Sequence, residues 1–209
     1  GIACTTASLI AATQGKATLD EITEADIPAI RDAHLLLAKY NSWQPGVFAL
    51  SGWDLTGSLT LPADEVRHLI SSGDTRWIER GGHDLLDVAP EAVSSVSGMP
   101  RARSLYGSLG AQQANPESFL SGLRDVLRIR GDHGIAVATQ VDIPQVGHPS
   151  MLVMVHRLDG GDRRAEDAPL QITVLNFSGE TIEGTVRSEF LVPQRTAVVV
   201  APDGWQRTR

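Results

Sequence analysis

The segment that decides the fold prediction is a short apolar run followed at once by an aromatic residue and a carboxylate. It reads Pro45-Gly46-Val47-Phe48-Ala49-Leu50-Ser51-Gly52-Trp53-Asp54-Leu55. Apolar residues without polar alternation are typical of a strand buried on both faces, as in a parallel sheet. In α/β folds the residues that hold ligands lie just past the carboxyl ends of such strands. We therefore predict a strand over residues 46–51 with a binding site directly after it.

Trp53 and Asp54 occupy the position past the predicted strand, and their chemistry suits a sugar. An indole ring offers a flat apolar platform for a sugar ring, and a carboxylate accepts hydrogen bonds from two hydroxyl groups. The alternative interpretation is that Trp53 packs in the core and that Asp54 caps a helix or a turn. The pattern alone leaves both interpretations open.

Composition restricts the class of protein and its partners. The chain has 209 residues, a net charge of −7 and one cysteine, Cys4. The negative charge argues against a nucleic-acid partner, which needs a basic surface. A membrane partner is not expected either, because no apolar run approaches the ~18 residues of a membrane span. A single cysteine allows no internal disulfide and suits a reducing cytoplasm, so we predict a cytoplasmic protein. The chain opens on Gly1 as if entering a helix, and we expect it to be a piece of something longer.

The periodicity of apolar residues predicts a mixed α and β chain with two domains, residues 1–133 and 134–209. Helices are expected in the first domain and short antiparallel strands in the second. The predicted helices cover residues 3–14, 24–40, 61–73 and 115–131. The predicted strands of the second domain cover residues 135–141, 151–156, 170–177, 184–190 and 196–201.

A second candidate wall of a binding site lies in the long irregular segment of residues 73–104. Arg76 and Trp77 stand side by side there and could face a sugar from the other side. The alternative is that Trp77 is packed and that Arg76 bonds to a backbone carbonyl. The six histidines lack metal-ligand spacing, and phosphate-loop, dinucleotide and nucleophile-elbow motifs are missing from the sequence. We therefore predict no metal, no cofactor and no catalytic residue within the chain.

Residues 44–55 resemble the eighth-strand motif of the trehalose synthases, which are maltose α-D-glucosyltransferases of the α-amylase superfamily (glycoside hydrolase family 13). Further segments are similar to the same family in the same order, and together they extend the resemblance to about residue 190. These segments are residues 73–78, 102–109, 151–158 and 175–180. The region around residues 192–196 departs from the family pattern.

The resemblance implies a fold, an activity and partners. The family has a (β/α)8 TIM barrel followed by an antiparallel β domain, so this chain is expected to hold the last αβ units of the barrel and a small antiparallel β-sandwich. The parent enzyme is expected to isomerise maltose to trehalose by retaining, intramolecular glucosyl transfer. Its three catalytic carboxylates are implied to lie upstream of Gly1, in a missing barrel portion that is a partner of this chain. Trp53, Asp54, Arg76 and Trp77 are then pocket walls, and the fragment alone is expected to be inactive.

Two other functions stay open. The chain could be a non-catalytic carbohydrate-binding or enzyme-associated protein, in which the barrel edge and the β domain only bind. It could also be a remnant that associates with other chains through an apolar barrel face.

Overall fold

The computed structural model of the chain describes residues 4–159, 168–188 and 190. The fold is mixed α and β, with several helices and a small antiparallel sheet. The chain forms two compact units, which are described separately below. The first unit comprises residues 1–38 and 49–125, and the second comprises residues 39–48 and 126–209.

The first unit is helical, and its longest helices follow the predicted apolar periodicity. The helices with residues in this unit are α1 (Thr6–Thr13), α2 (Ile27–Ser42), α3 (Gly52–Thr56), α4 (Arg67–Ile70), α5 (Leu109–Gln113) and α6 (Phe119–Asp132). Short 3-10 turns cover Leu19–Glu21, Glu24–Asp26 and Thr75–Glu79. Helices α2 and α6 also continue into the second unit.

Local capping explains where the first two helices begin. The hydroxyl of Thr5 accepts the backbone N–H of Ser8 at 3.4 Å and starts α1. Thr23 and Asp26 form the capping box expected from their spacing, since the Asp26 carboxylate accepts the backbone N–H of Thr23 at 2.8 Å. This capping box precedes α2, so the predicted entry into that helix is confirmed.

One buried glutamine connects three helices of the first unit. The side-chain amide of Gln112 donates to the carbonyls of Leu55 and Gly107, at 2.7 and 3.1 Å. Its carbonyl oxygen accepts the backbone N–H of Leu120 at 3.0 Å. Because every polar group of this amide is used, the end of α3 and the start of α6 are held to α5.

The second unit contains the sheet. Its main sheet has the order β1 (Thr139–Asp142), β3 (Met151–Arg157) and β4 (Leu170–Asn176), and both pairings are antiparallel. A two-stranded sheet joins β2 (Gln145–Val146) to β5 (Val186–Arg187). Along β4, buried and half-buried positions alternate, which confirms the predicted half-exposed strand. Residues 135–137 form a 3-10 turn where the start of a strand was predicted, and the predicted strand over residues 196–201 lies outside the described residues.

The predicted strand over residues 46–51 is wrong. Residues 47–51 have no regular secondary structure, and the side chain of Val47 is 99% exposed rather than buried. Within the part of the chain that the structure describes, residues 47–50 make no backbone hydrogen bond. An apolar run becomes a strand only when a neighbouring strand pairs its backbone groups, and the described residues supply none here.

The coarse fold class is therefore as predicted, whereas its finer assignment is untested. That the helical unit is the end of a TIM barrel, that the sheet belongs to a sandwich, and that the domains divide at residues 133 and 134 all stay predictions. Among the described residues, no helix combines the length and the apolar composition that crossing a bilayer requires.

Candidate functional site around Asp54

The residues after the apolar run enter a helix, because Ser51 and Asp54 form a capping box. Ser51 is the N-cap of α3, and the carboxylate of Asp54 accepts the backbone N–H of Ser51 at 3.2 Å. A serine followed three residues later by an acidic residue is a helix-start signal. The helix ends at Gly57, whose φ of 60° is left-handed. Asp54 thus has the capping role that the alternative interpretation foresaw, and its contact with a sugar stays a prediction.

A buried histidine faces the same carboxylate. His34, in the middle of α2, is 2% exposed, and its Nε2 lies 3.5 Å from Oδ1 of Asp54. This separation is at the outer limit of a hydrogen bond, so the contact is a close polar approach rather than a well-formed bond. On its other side, Nδ1 of His34 lies 3.1 Å from the hydroxyl of Tyr106. Asp54, His34 and Tyr106 therefore form a chain of carboxylate, imidazole and phenol, which we call the Asp54 cluster.

Aromatic packing holds this cluster in place. The ring of His34 lies 4.6 Å from that of Phe119, which is completely buried at the start of α6. Tyr106 stacks on Phe119 at 5.2 Å between ring centroids. Gly57 leaves room for Tyr106, because a Cβ at this position would lie 2.6 Å from the tyrosine ring. Each polar group of the cluster is thus carried by a side chain whose rotamer is restricted by packing.

The environment decides the protonation of the two ends of the cluster. Burial acts to raise the pKa of Asp54, but the interactions with His34 and Thr6 outweigh it, and the pKa lies below its ordinary value. Asp54 is therefore a carboxylate at neutral pH. Burial, reinforced by the charge of Asp54, raises the pKa of Tyr106 far above its ordinary value. Tyr106 is therefore a neutral phenol that retains its proton.

The groups around Asp54 orient its carboxylate. A retaining glycosidase site needs two carboxyl groups ~5 Å apart. The groups that approach the carboxylate of Asp54 are the side chains of His34 and Thr6 and the backbone of Ser51. A raised tyrosine pKa also makes Tyr106 a poor base or nucleophile.

An open groove is lined by residues of the segment 82–101, and one of its lining residues, His83, approaches the start of α3. It has a volume of about 320 Å³, and His83, Val88, Val96 and Arg101 contribute to its lining. A Cβ on Gly52 would be 3.3 Å from Nε2 of His83, so this groove residue lies against the backbone next to Trp53. The volume is at the lower end of the range of small-molecule sites.

Arg76 and Trp77 make contacts of their own. Arg76 forms a two-pronged pair with the carboxylate of Asp74, at 2.8 and 2.9 Å, and not with a backbone carbonyl. This pairing, which includes the backbone N–H of Arg76, holds the pKa of Asp74 at about 2. Trp77 packs on the cluster of Leu61, Val66 and Ala102, with the guanidinium of Arg80 over its ring at 4.8 Å. The packed Trp77 of the alternative interpretation is therefore present, and a sugar-facing wall at Arg76 and Trp77 stays a prediction.

The predicted site residues fall into two groups, Trp53 with Asp54 and Arg76 with Trp77. The sequence did not predict the partners of Asp54, which are His34 and Tyr106. Trp53 is half-buried beside Asp54, whereas Arg76 and Trp77 lie in the 3-10 turn Thr75–Glu79. His34 carried a usable signal: it follows Ile30 by four residues and precedes Ala38 by four, so it lies on the apolar face of α2. A histidine on such a face needs a polar partner. Tyr106 offered no comparable signal.

Comparisons with family models, curated proteins and solved structures find no match for this chain. Within residues 4–159, 168–188 and 190, no group of three or more histidine, cysteine, aspartate or glutamate side chains could hold a metal ion.

Proposed function

We propose that this chain is the C-terminal portion of an enzyme similar to the trehalose synthases of the α-amylase superfamily, and that residues 52–54 form part of its sugar-binding wall. In the parent enzyme, maltose is isomerised to trehalose by retaining glucosyl transfer. The catalytic carboxylates belong to the upstream barrel portion. The contribution of this chain is to bind and orient the sugar.

One observation supports the proposal more than any other: a rigid turn presents Trp53 beside an ionised carboxylate. The capping box fixes the backbone of the turn, and His34 faces the carboxylate of Asp54 from within the unit. His83, which contributes to the lining of the groove, lies close to Gly52. An aromatic platform, a fixed acceptor and an adjacent groove are what a sugar-binding wall requires.

A second candidate function is a binding module without catalysis. The described neighbours of Asp54 support it, because an imidazole and hydroxyl groups orient a carboxylate but supply no second carboxyl group. Both functions require sugar binding at Trp53. They differ in whether an upstream portion adds an activity.

A binding experiment tests what the two functions share. The chain is titrated with maltose and with trehalose while the indole signals are followed by NMR. We expect saturable shifts of the Trp53 indole in wild type. The variants have no indole at this position, so their affinity is measured by calorimetry: it should be lost in Trp53→Ala and partly retained in Trp53→Phe, which keeps an aromatic platform. Equal affinity in wild type and Trp53→Ala would contradict the proposal.

An activity experiment separates the two functions. The chain alone is incubated with maltose, and trehalose and glucose are quantified. We expect neither sugar above the buffer control, because the described groups that act on the carboxyl of Asp54 include no second carboxyl group of a retaining site. Adding the upstream barrel portion should restore conversion if the chain is part of an enzyme, and should leave maltose unchanged if it is a binding module.

A further inference from the structure

We propose that His34 and Tyr106 are positioning residues for Asp54, with His34 held as the tautomer whose proton lies on Nε2 and faces the carboxylate. Neither residue was predicted from the sequence as part of the site. Their effect on sugar binding rests on the proposed function, whereas the tautomer and the orientation of Asp54 do not.

The argument begins with the phenol of Tyr106. Its oxygen lies 3.1 Å from Nδ1 of His34. Because the phenol retains its proton, it can donate to Nδ1, and an accepting Nδ1 requires the ring proton to be on Nε2. If the imidazole were doubly protonated, Nε2 would carry a proton as well. Both states place an N–H at Nε2.

The remaining state is excluded by its electrostatics. A neutral ring with its proton on Nδ1 would direct the lone pair of Nε2 at Oδ1 of Asp54, which is 3.5 Å away. Two acceptors would then face each other in a site that water does not reach, since Oδ1 is fully buried and lacks a well-formed hydrogen bond to any described residue. A lone pair directed at a buried carboxylate oxygen is repelled by it, whereas an N–H at Nε2 is attracted to it.

Packing fixes the orientation of the His34 ring, and with it the direction of the Nε2 proton toward Asp54. The imidazole packs near both Phe119, at 4.6 Å, and Tyr106, at 5.9 Å between ring centroids. Because it is also 2% exposed, it has little freedom to turn. Oδ1 of Asp54 is directed at His34, while Oδ2 accepts the backbone N–H of Ser51. Both oxygens are thereby oriented, and the plane of the carboxylate is set. Asp54 as a whole is 8% exposed, so a sugar can reach only a narrow edge of a carboxylate that His34 orients.

Other charges do not substitute for His34. Thr6 of α1 and Ser51 are the further groups that lower the pKa of Asp54, and neither is charged. Arg31 and Asp32 of α2 act on Tyr106 in opposite directions. Removing the N–H at Nε2 should therefore raise the pKa of the Asp54 carboxyl directly.

The first experiment measures the tautomer in the full chain by ¹⁵N NMR of the histidine side chains. We expect the nitrogen pattern of a ring protonated at Nε2 and unprotonated at Nδ1. Tyr106→Phe keeps the stacked ring but removes the donor to Nδ1, and the proton should stay on Nε2 because Asp54 still faces that nitrogen. A wild-type ring with its proton on Nδ1 would overturn the inference, and this measurement needs no variant to fold.

The second experiment compares two amides at position 34. In His34→Gln the amide nitrogen reaches the place of Nε2, whereas in His34→Asn it reaches only the place of Nδ1. We expect the titration midpoint of the Asp54 carboxyl, followed by ¹³C NMR, to rise by about one pH unit in His34→Asn and to stay near wild type in His34→Gln. His68→Gln, at an exposed histidine of α4, is the control that should leave the midpoint unchanged. Equal midpoints in the two amide variants would refute the positioning role.

Maltose titrations of the same variants connect the inference to the proposed function. We expect binding to weaken several-fold in His34→Asn and to recover in His34→Gln. If the wild-type chain itself binds no sugar, the proposed function fails, while the tautomer and the Asp54 midpoint still decide the positioning role. If the wild-type chain binds sugar and the variants bind it equally well, His34 does not position the carboxylate for the ligand.

Discussion

His156 of β3 and Gln171 of β4 lie directly opposite each other in the antiparallel pair, and both are almost completely buried. The amide nitrogen of Gln171 donates to the carbonyl of Trp43 at 3.2 Å and to the hydroxyl of Thr173 at 2.8 Å. Its carbonyl oxygen and both ring nitrogens of His156 have no hydrogen-bond partner among the residues that the structure describes. The pair places polar groups in the interior of the second unit, where a charge would be costly.

The buried position of His156 predicts that the second unit loses stability in mild acid. Burial lowers the pKa of His156 below its ordinary value of 6.5. The unfolded chain then binds more protons than the folded chain as the pH falls. The contribution to stability is fully present above pH 6.5 and decreases as the pH falls from there through the lower folded pKa. Melting temperatures of the chain between pH 7.5 and pH 5 measure the decrease.

His156→Leu separates this effect from general acid sensitivity. The variant cannot take up a proton at this position, so its melting temperature should fall less between pH 6.5 and pH 5 than that of wild type. His68→Gln removes an exposed histidine and should retain the wild-type slope. Identical slopes in wild type and His156→Leu would show that another group carries the acid sensitivity.

Asp54→Ala should destabilise the first unit even in the absence of any sugar. The substitution removes the acceptor of the Ser51 N–H and the group that His34 faces, and the loss of such a cap costs about 0.5–2 kcal/mol. Because the pKa of Asp54 is lowered, its contribution is present above pH 3.8 and is lost as the pH falls below that value. Asp32→Ala, at an exposed ion pair of α2, is a suitable control and should change the free energy of unfolding by less than about 1 kcal/mol. Urea unfolding curves that are the same for both variants would count against the capping role.

Gly57→Ala should be among the most destabilising glycine substitutions in the chain. The new Cβ would lie 2.6–2.7 Å from ring atoms of Tyr106, and the residue has a φ of +60°. Gly15→Ala is the matched control, since its φ is +87° and no atom lies within 4 Å of the new Cβ. The control should show only the backbone cost of about 1 kcal/mol, and the excess in Gly57→Ala measures the displacement of Tyr106. Equal losses of unfolding free energy would mean that Tyr106 moves away at no cost.

Arg130→Lys should destabilise the second unit although it retains the charge. The guanidinium of Arg130 donates to the carbonyls of Ser42, Gln44 and Gly46. Ser42 is the last residue of α2, and the other two lie in the segment after it. A lysine ammonium cannot reproduce this fork, and we expect a loss of about 1–2 kcal/mol of unfolding free energy. Arg128→Lys lies on the same helix in an exposed pair with Asp132 and should cost little. Thermal melts followed by circular dichroism distinguish the two variants.

The sequence predicted the elements whose signals are local. The capping box of Thr23 and Asp26, the helix α2 and the alternation along β4 depend on residues within a few positions of one another. Helix starts and amphipathic faces need no distant partner to be recognised. The coarse class, helices followed by antiparallel strands, came from the same local patterns. The capping signal at Ser51 and Asp54 is also local, and the sequence leaves it open beside the interpretation of Asp54 as a sugar ligand past a strand.

The tertiary structure decided the features that depend on distant residues. Residues 47–50 are apolar enough for a buried strand, but a strand exists only where another segment pairs its backbone, and pairing is a property of the whole fold. The contact of His34 with Asp54 joins residues twenty positions apart, and that of His34 with Tyr106 joins residues seventy-two apart. Local patterns place each of these side chains on its own element. Which of them meet, and therefore which proton faces which acceptor, follows only from how the helices pack.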